Sequence, residues 1–306
     1  MLATTPGDKL EVVVTTLPDD FHFSQASLQD YVECRRRFQL RYLLRRAWPA
    51  LEAEPALENE RRLQLGGAFH HLVQQHLLGL PAERLSSMVA ARKDAGEELK
   101  RWWSNYLQLG QDLAGLREVP GLQVYPETSL SAPFHNYRMV AKYDLIAVTP
   151  EGRAIIFDWK TSRKRPGRKR QASRLQTRLY PYLLIQAGAH LNQGTDFQPD
   201  QIEMIYWYPE FPSEPERFPY SVAEYQKDGD YLASLVAEIE GLQEDEFYLT
   251  THVERCRFCT YRSLCERGVK AGELDEMEAG LDFDEGGEGL SADFDLDFEQ
   301  IAEVEF

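Results

Sequence analysis

The sequence has little or none of several features that would place it in other classes. Only four of its 306 residues are cysteine. No apolar run approaches the roughly 20 residues of a membrane-spanning helix, and the first residues lack a basic-then-apolar signal pattern. No Gly-x4-Gly-Lys-Ser/Thr loop occurs, so we expect no ATP-driven motor. These absences predict a soluble, cytoplasmic protein with no membrane partner, in which cysteines bind metal or react more often than they form disulfides.

Basic residues are missing from the C-terminal end of the chain. Residues 271–306 hold fourteen Asp or Glu and no Lys or Arg, so most of the formal net charge of −16 belongs to this segment and the remaining chain carries −2. Such a composition predicts a disordered acidic tail. Its alternating acidic and apolar residues suit binding to a protein partner or to a basic DNA track, and an inert solubilising tail is the third interpretation.

Composition and apolar periodicity divide the chain into a segment at 1–23, a folded domain at 24–270 and the tail at 271–306. A short β-like piece is predicted at 10–16. Apolar periodicity predicts helices at 27–46, 63–80, 87–109, 173–191 and 221–242, and strands within 122–161 and at 201–208. Helices on both sides of a run of strands predict an α/β fold with a mixed central β-sheet flanked by helices.

One predicted strand carries charged residues near its end. The run Ala154–Thr161 is β-branched and aromatic, which is typical of a buried strand. Asp158 and Lys160 are two residues apart and therefore share a face of that strand. A structural ion pair and a catalytic pair are both compatible with this spacing. The residues of the neighbouring segments distinguish the two interpretations.

A turn signal upstream of this strand brings a second carboxylate to it. Residues Pro150, Glu151 and Gly152 predict a tight turn between two antiparallel strands. If these three form the loop, Asp144 lies directly opposite Asp158, at a Cβ separation of roughly 5 Å. Two carboxylates so close need a shared proton or a cation, and Mg²⁺ or Mn²⁺ suits carboxylate oxygens. Lys160 would then stabilise charge on a phosphate.

Three further polar residues fall at positions where they could join the carboxylates. His70 lies beside the apolar stripe of the second predicted helix, where a lone histidine is more often a surface residue than a ligand. Gln176 and Tyr180 are four residues apart on the helix that follows the strand, so they share one face.

The order of these residues resembles that of a known family. Gly66-Gly67-Ala68-Phe69-His70, Asp144, Asp158-Trp159-Lys160 and Gln176-x3-Tyr180 resemble the successive motifs of the PD-(D/E)XK nucleases. They are most similar to the RecB-like branch, which includes the CRISPR-associated exonucleases and the AddB nuclease domain. The resemblance implies a restriction-endonuclease-like core, His70, Asp144 and Asp158 as Mg²⁺ or Mn²⁺ ligands, and Lys160 as the catalytic lysine. Gln176 and Tyr180 are implied to contact DNA or support the site. Gln74 stands where many members carry a glutamate.

The four cysteines form one remote residue and a trio. Cys256, Cys259 and Cys265 lie within ten residues of a polar segment, and Cys34 lies in the first predicted helix. This arrangement predicts a metal site, either Zn²⁺ or an iron–sulfur cluster, since both accept four thiolates. The spacing resembles the 4Fe-4S site of the RecB-like nucleases, which implies that a metal cluster joins the N- and C-terminal helical segments.

A basic segment follows the charged strand directly. Charge runs are usually solvated loops, but this one adjoins the expected metal site and therefore predicts contacts with DNA phosphates. Its candidate DNA-binding residues are Arg163, Lys164, Arg165, Arg168, Lys169, Arg170, Arg174 and Arg178.

The resemblance implies an activity as well as a fold. We expect a metal-dependent DNA nuclease that hydrolyses phosphodiester bonds. The family favours an exonuclease acting on single-stranded or end-bearing DNA, in repair, recombination or CRISPR-related processing, with any helicase as a separate partner. The alternative is a weakly active or inactive nuclease-fold subunit that binds DNA or a partner within a helicase–nuclease complex.

Overall fold

A computed structural model describes residues 17–47, 56–91, 96–117 and 120–269. The β-like piece predicted at 10–16 and the acidic tail predicted at 271–306 lie outside the described residues. Within these ranges, no helix has both the length and the apolar character needed to cross a membrane.

A mixed sheet forms the centre of the fold, as the sequence predicted. Its order is β2-β3-β4-β5-β6, with the short β1 beside the first half of β3. The β1/β3 and β4/β5 pairs are parallel and the other pairs are antiparallel. The strands are β1 (His22–Phe23), β2 (Gln123–Phe134), β3 (Tyr137–Val148), β4 (Ala154–Trp159), β5 (Ile202–Trp207) and β6 (Glu216–Pro219).

Helices cover both faces of this sheet. The helices are α1 (Gln25–Glu33), α2 (Arg35–Phe38), α3 (Ala56–Leu77), α4 (Ala82–Ala91), α5 (Gly96–Arg117), α6 (Arg168–Ser173), α7 (Leu175–Ala187), α8 (Val222–Gly241) and α9 (Val253–Cys256). The core on the first face contains apolar residues of α1, α7 and α8, and the core on the second face contains those of α3, α4 and α5. We call these the first and second cores.

Two predicted helices are interrupted. The helix predicted at 27–46 begins after the N-cap Ser24, stops at Cys34 and continues as α2 and one π-helical turn. Cys34 has extended backbone angles (φ −161°, ψ 104°), so it cannot continue a helix. The helix predicted at 87–109 is likewise divided between α4 and α5. Strands β1 and β6 were not predicted because they are only 2 and 4 residues long.

The register of β3 and β4 is the predicted one. Leu145 pairs with Phe157 and Val148 with Ala154, and the Thr149 amide donates to the Arg153 carbonyl at 2.9 Å. Gly152 has φ 80° in the turn, a conformation that costs glycine little. This turn fixes which residues of the two strands lie at the same level.

In β2 and β3, side chains of the same parity do not all face the same side of the sheet, and the change of side occurs at the same level in both strands. In a regular strand Tyr143 and Leu145 would face the same side, yet Tyr143 packs in the first core and Leu145 in the second. The shift in β2 lies between Val124, which packs against the second core, and Leu130, which packs in the first. Two acidic residues, Glu127 of β2 and Asp144 of β3, lie at the shift.

Candidate active site

Asp144 and Asp158 lie where β3 and β4 separate. Backbone pairing of the two strands includes Leu145 and Phe157 but does not extend to the two aspartates. Instead, the Trp159 amide donates to Oδ2 of Asp144 at 2.7 Å. The sequence placed the two aspartates directly opposite each other in a continuous ladder. The regular ladder stops at this level because the side-chain alternation of β3 shifts here. The Asp144 carboxylate, rather than a backbone carbonyl of β3, therefore accepts the hydrogen bond from β4.

His70 reaches Asp144 from the second face of the sheet. Its neighbour Phe69 is fully buried in the second core, which fixes α3 against the sheet. Nδ1 of His70 lies 3.3 Å from Oδ1 of Asp144. Burial lowers the pKa of His70, but the charge and hydrogen bond of Asp144 outweigh it and the pKa is raised. Burial raises the pKa of Asp144, and His70 outweighs it so that the pKa is lowered. Both shifts favour a charged pair of His70 and Asp144.

Asp158 is held from the first face of the sheet. It is buried, and its Oδ1 accepts a hydrogen bond from Nε2 of Gln176 on α7 at 2.6 Å. Nζ of Lys160 lies 3.1 Å from Oδ2 of Asp158 and 5.9 Å from the centre of the Tyr206 ring. Asp158 and Lys160 therefore share a face, as predicted, and Gln176 fixes the carboxylate.

Tyr180 supports this arrangement from within the first core. It is buried, and its ring centre lies 4.8 Å from that of Tyr143, the residue before Asp144. The Tyr143 hydroxyl donates to the Tyr180 carbonyl at 2.9 Å. Tyr180 thus stabilises the packing of β3 against α7.

Glu127 is a charged residue at the site that sequence reasoning missed. Within the described ranges, the group of three or more metal-binding side chains whose ligand atoms all lie within 4.8 Å of one another is His70, Glu127 and Asp144. Two carboxylates and an imidazole suit Mg²⁺ or Mn²⁺, so these residues fit the metal that the resemblance implies. Asp158 lies outside this tight group, although its charge still raises the pKa of His70.

Several of the candidate DNA-binding residues pair with local acids. Arg163 pairs with Glu98 at 2.7 Å, and Arg178 lies 3.7 Å from Asp228. Further ion pairs join Arg165 to Glu214 and Glu216, and Arg168 to Glu216. Arg174 is buried, whereas Lys169 is exposed. The basic segment is therefore partly neutralised by local acids, and a phosphate would have to compete with them for four of its arginines.

The four cysteines come together between the two ends of the described domain. All four are free thiols. Burial, together with the neighbouring Cys259, Cys34 and Cys256 thiols, raises the pKa of the Cys265 thiol to about 11. Hydrogen bonds independent of the thiols also join the two ends: the Tyr261 hydroxyl donates to the Arg46 carbonyl at 3.0 Å, and the Arg36 amide donates to the Tyr248 carbonyl at 3.2 Å.

Comparison with known proteins gives one family and several distant folds. The family model of the PD-(D/E)XK nuclease superfamily matches residues 22–266. No curated protein matches the chain. A crystal structure from Eubacterium rectale, named as a candidate exonuclease, is 8% identical over 71% of this chain and 79% of its own, with a TM-score of 0.45. The structure of SSO0001 is 14% identical over 80% of this chain and 85% of its own, with a TM-score of 0.35. The protein VC1899 from Vibrio cholerae is 12% identical over 71% of this chain and 56% of its own, with a TM-score of 0.24.

Proposed function

Because the chain belongs to the PD-(D/E)XK nuclease superfamily, we propose that it is a metal-dependent deoxyribonuclease that cuts at the gap between β3 and β4. The observation that carries this proposal is the convergence of side chains from both faces of the sheet. His70 comes from the second face and Gln176 from the first, and they contact Asp144 and Asp158 respectively. Lys160 completes the set from the end of β4.

Each residue has a role that its contacts support. His70, Asp144 and Asp158 would hold Mg²⁺ or Mn²⁺, with the Trp159 carbonyl as a further donor. When bound, the ion supplies Lewis-acid stabilisation of the phosphate and a more acidic water. Lys160 is positioned to stabilise negative charge on the phosphate as the P–O bond breaks. Gln176 holds the Asp158 carboxylate in one orientation, which preorganises the site.

The basic segment that follows β4 would bind the DNA backbone. Arg163, Arg165, Arg168 and Arg178 would have to exchange their carboxylate partners for phosphate. Lys164, Lys169, Arg170 and Arg174 are the other candidates, of which Lys169 is exposed and Arg174 is buried. Each phosphate contact releases a counterion, so DNA affinity should fall with salt concentration.

The proposed function is tested by comparing DNA cleavage by variants of the site with cleavage by a variant of the adjacent His71. End-labelled single-stranded and double-stranded DNA is incubated with Mg²⁺ or Mn²⁺ and with wild type, His70→Ala, His71→Ala, Asp158→Ala or Lys160→Ala. His71 is exposed and bonds to Gln74 and Gln75, so its variant is the matched control. We expect wild-type cleavage from His71→Ala and losses of about 10²–10³-fold from Lys160→Ala. Equal rates for wild type, Asp158→Ala and Lys160→Ala would refute the proposed site.

We also propose that Cys34, Cys256, Cys259 and Cys265 bind a 4Fe-4S cluster. The four thiols lie near enough for their charges to interact, and four thiolates can hold either a 4Fe-4S cluster or a single Zn²⁺. The cluster is proposed because the spacing of one remote cysteine and a trio resembles that of the RecB-like nucleases. The break at Cys34 between α1 and α2 supports a ligand role for that residue.

Metal analysis separates the two candidates for the thiol site. Protein purified without oxygen should be brown and contain iron and acid-labile sulfide, and Cys34→Ser should lose the visible absorbance. Stoichiometric zinc without iron or sulfide would show that the site binds Zn²⁺ and not a 4Fe-4S cluster.

The finer assignments rest on the sequence resemblance. We propose a RecB-like exonuclease that acts in the cytoplasm on single-stranded or end-bearing DNA, in repair, recombination or CRISPR-related processing. A helicase would be a separate partner. The proposed domain spans 24–270, between the segment 1–23 and an acidic tail at 271–306. Degradation products of DNA labelled at either end would distinguish exonuclease from endonuclease cleavage.

A further inference from the structure

Glu127 stands at the proposed metal site in an unusual backbone conformation. Its φ is 49°, in the left-handed region that side-chain-bearing residues rarely adopt. Pairing of β2 with β3 includes Pro126 with Leu145 and Thr128 with Tyr143, but it omits Glu127 and Asp144, which lie at the level between them. The two acids therefore face each other at the point where side-chain alternation shifts in both strands.

The same geometry brings the Glu127 carboxylate to the imidazole of His70. The ligand atoms of Glu127, His70 and Asp144 all lie within 4.8 Å of one another. Opposite ligands of an octahedral ion with bonds of 2.0–2.1 Å lie about 4.2 Å apart, so small side-chain movements would bring all three atoms onto one ion.

A lysine of β3 forms an ion pair with the Glu127 carboxylate. Nζ of Lys142 lies 2.8 Å from Oε2 of Glu127, and the lysine side chain is 45% exposed against 15% for the glutamate. An exposed ammonium regains water when it leaves, so this pair costs little to break. The structural alternative is that Glu127 serves only as the cross-strand partner of Lys142.

We propose that Glu127 is a ligand of the divalent ion, beside His70 and Asp144, and that Lys142 exchanges with the ion. This inference rests on the proposed function, since it concerns the same ion. It predicts opposite effects for the two members of the pair. Removing the Glu127 charge removes a ligand and weakens ion binding, whereas removing the Lys142 charge removes a competitor and leaves binding equal or tighter.

The test is a titration of the DNA-free protein with Mn²⁺, followed by the electron paramagnetic resonance signal of the free ion. The variants are Glu127→Gln, Lys142→Gln and Asp144→Asn. Glu203→Gln is the matched control, because Glu203 also forms a cross-strand ion pair, with Arg217 at 3.0 Å, but on β5 and β6. Thermal unfolding without metal checks that each variant is folded.

The proposal expects Glu127→Gln to raise the Mn²⁺ dissociation constant at least about tenfold, by analogy with losses of ligand-supporting groups. Lys142→Gln should leave it unchanged or lower it, and Glu203→Gln should leave it unchanged. If Asp144→Asn weakens binding and Glu127→Gln does not, Glu127 is only a salt-bridge partner and the proposed function still stands. If neither weakens binding, both the inference and the proposed metal site are wrong.

Discussion

Lys160 is the residue whose role depends most on what else is bound. Its ammonium contacts Asp158 at 3.1 Å, which is the structural ion pair that the sequence also allowed. The Lys160 side chain is nevertheless 16% exposed, and Asp158 already accepts a hydrogen bond from Gln176. A cation that shares the Asp158 charge weakens its attraction for Lys160. The two interpretations of this pair therefore describe the same site before and after metal binding.

The hydrogen bond from Gln176 to Asp158 predicts an effect of Gln176 on the cleavage rate. Gln176→Ala removes the donor that orients Asp158, so we expect cleavage to slow by about 10–100-fold. Gln186→Ala is the control, because Gln186 lies on the same helix, is exposed and bonds to Tyr225. The measurement is the single-turnover rate at saturating Mn²⁺. A rate for Gln176→Ala equal to that of Gln186→Ala would show that Asp158 needs no such support.

At the scale of elements, α5 is anchored to the loop between β5 and β6. Glu210 of that loop accepts hydrogen bonds from Arg101 at 2.6 Å and Trp102 at 2.8 Å. Burial raises the pKa of Glu210, but the hydrogen bonds of Arg101 and Trp102 outweigh it, and the pKa is lowered. The ionised carboxylate thus stabilises the contact of α5 with the sheet.

This anchor has a predictable pH dependence. Because the folded pKa of Glu210 is lowered, its contribution is fully present above the unfolded pKa of about 4.3 and is lost as pH falls through the folded value. Glu210→Gln should therefore reduce the free energy of unfolding by about 1 kcal/mol at neutral pH and by less in acid. Glu214→Gln is the control, since Glu214 is 61% exposed and should contribute little. Chemical denaturation at several pH values measures both, and an equal loss at all pH values for Glu210→Gln would contradict the assignment.

The sequence predicted the register of β3 and β4 because a three-residue turn leaves few alternatives. It could not predict the separation of these strands or the role of Glu127. The even-numbered residues Val124, Leu130 and Ala132 would share one face of a regular strand, yet Val124 packs against the second core and the other two pack in the first. The shift of alternation therefore leaves no mark in the apolar pattern. Only tertiary packing decides on which side of each strand the acids emerge.

At the scale of the whole molecule, charge is divided between the nuclease domain and the C-terminal segment. Residues 271–306 carry 14 negative charges and the remainder of the chain carries −2. The local acids that pair with Arg163, Arg165 and Arg168 reduce the positive potential at the proposed DNA track. Because this acidic segment belongs to the same chain, we expect its charge to repel DNA at low ionic strength.

Deletion of residues 271–306 tests this balance. The shortened protein should bind DNA more tightly at low salt, and the difference should shrink as salt screens the charges. Replacing the segment by an uncharged linker of equal length controls for its volume. DNA affinity that is unchanged by deletion at every salt concentration would leave the segment as an inert solubilising tail.

We propose that DNA cleavage depends on a divalent ion that Asp144 and its neighbours would hold. The most direct measurement compares, for wild type and Asp144→Asn, the cleavage rate as a function of Mn²⁺ concentration with Mn²⁺ binding by the same protein. We predict that a chelator stops wild-type cleavage, that the rate and binding curves rise together, and that Asp144→Asn moves both to higher Mn²⁺ concentration. Cleavage that persists in chelator, or an unshifted rate curve for Asp144→Asn, would contradict the account.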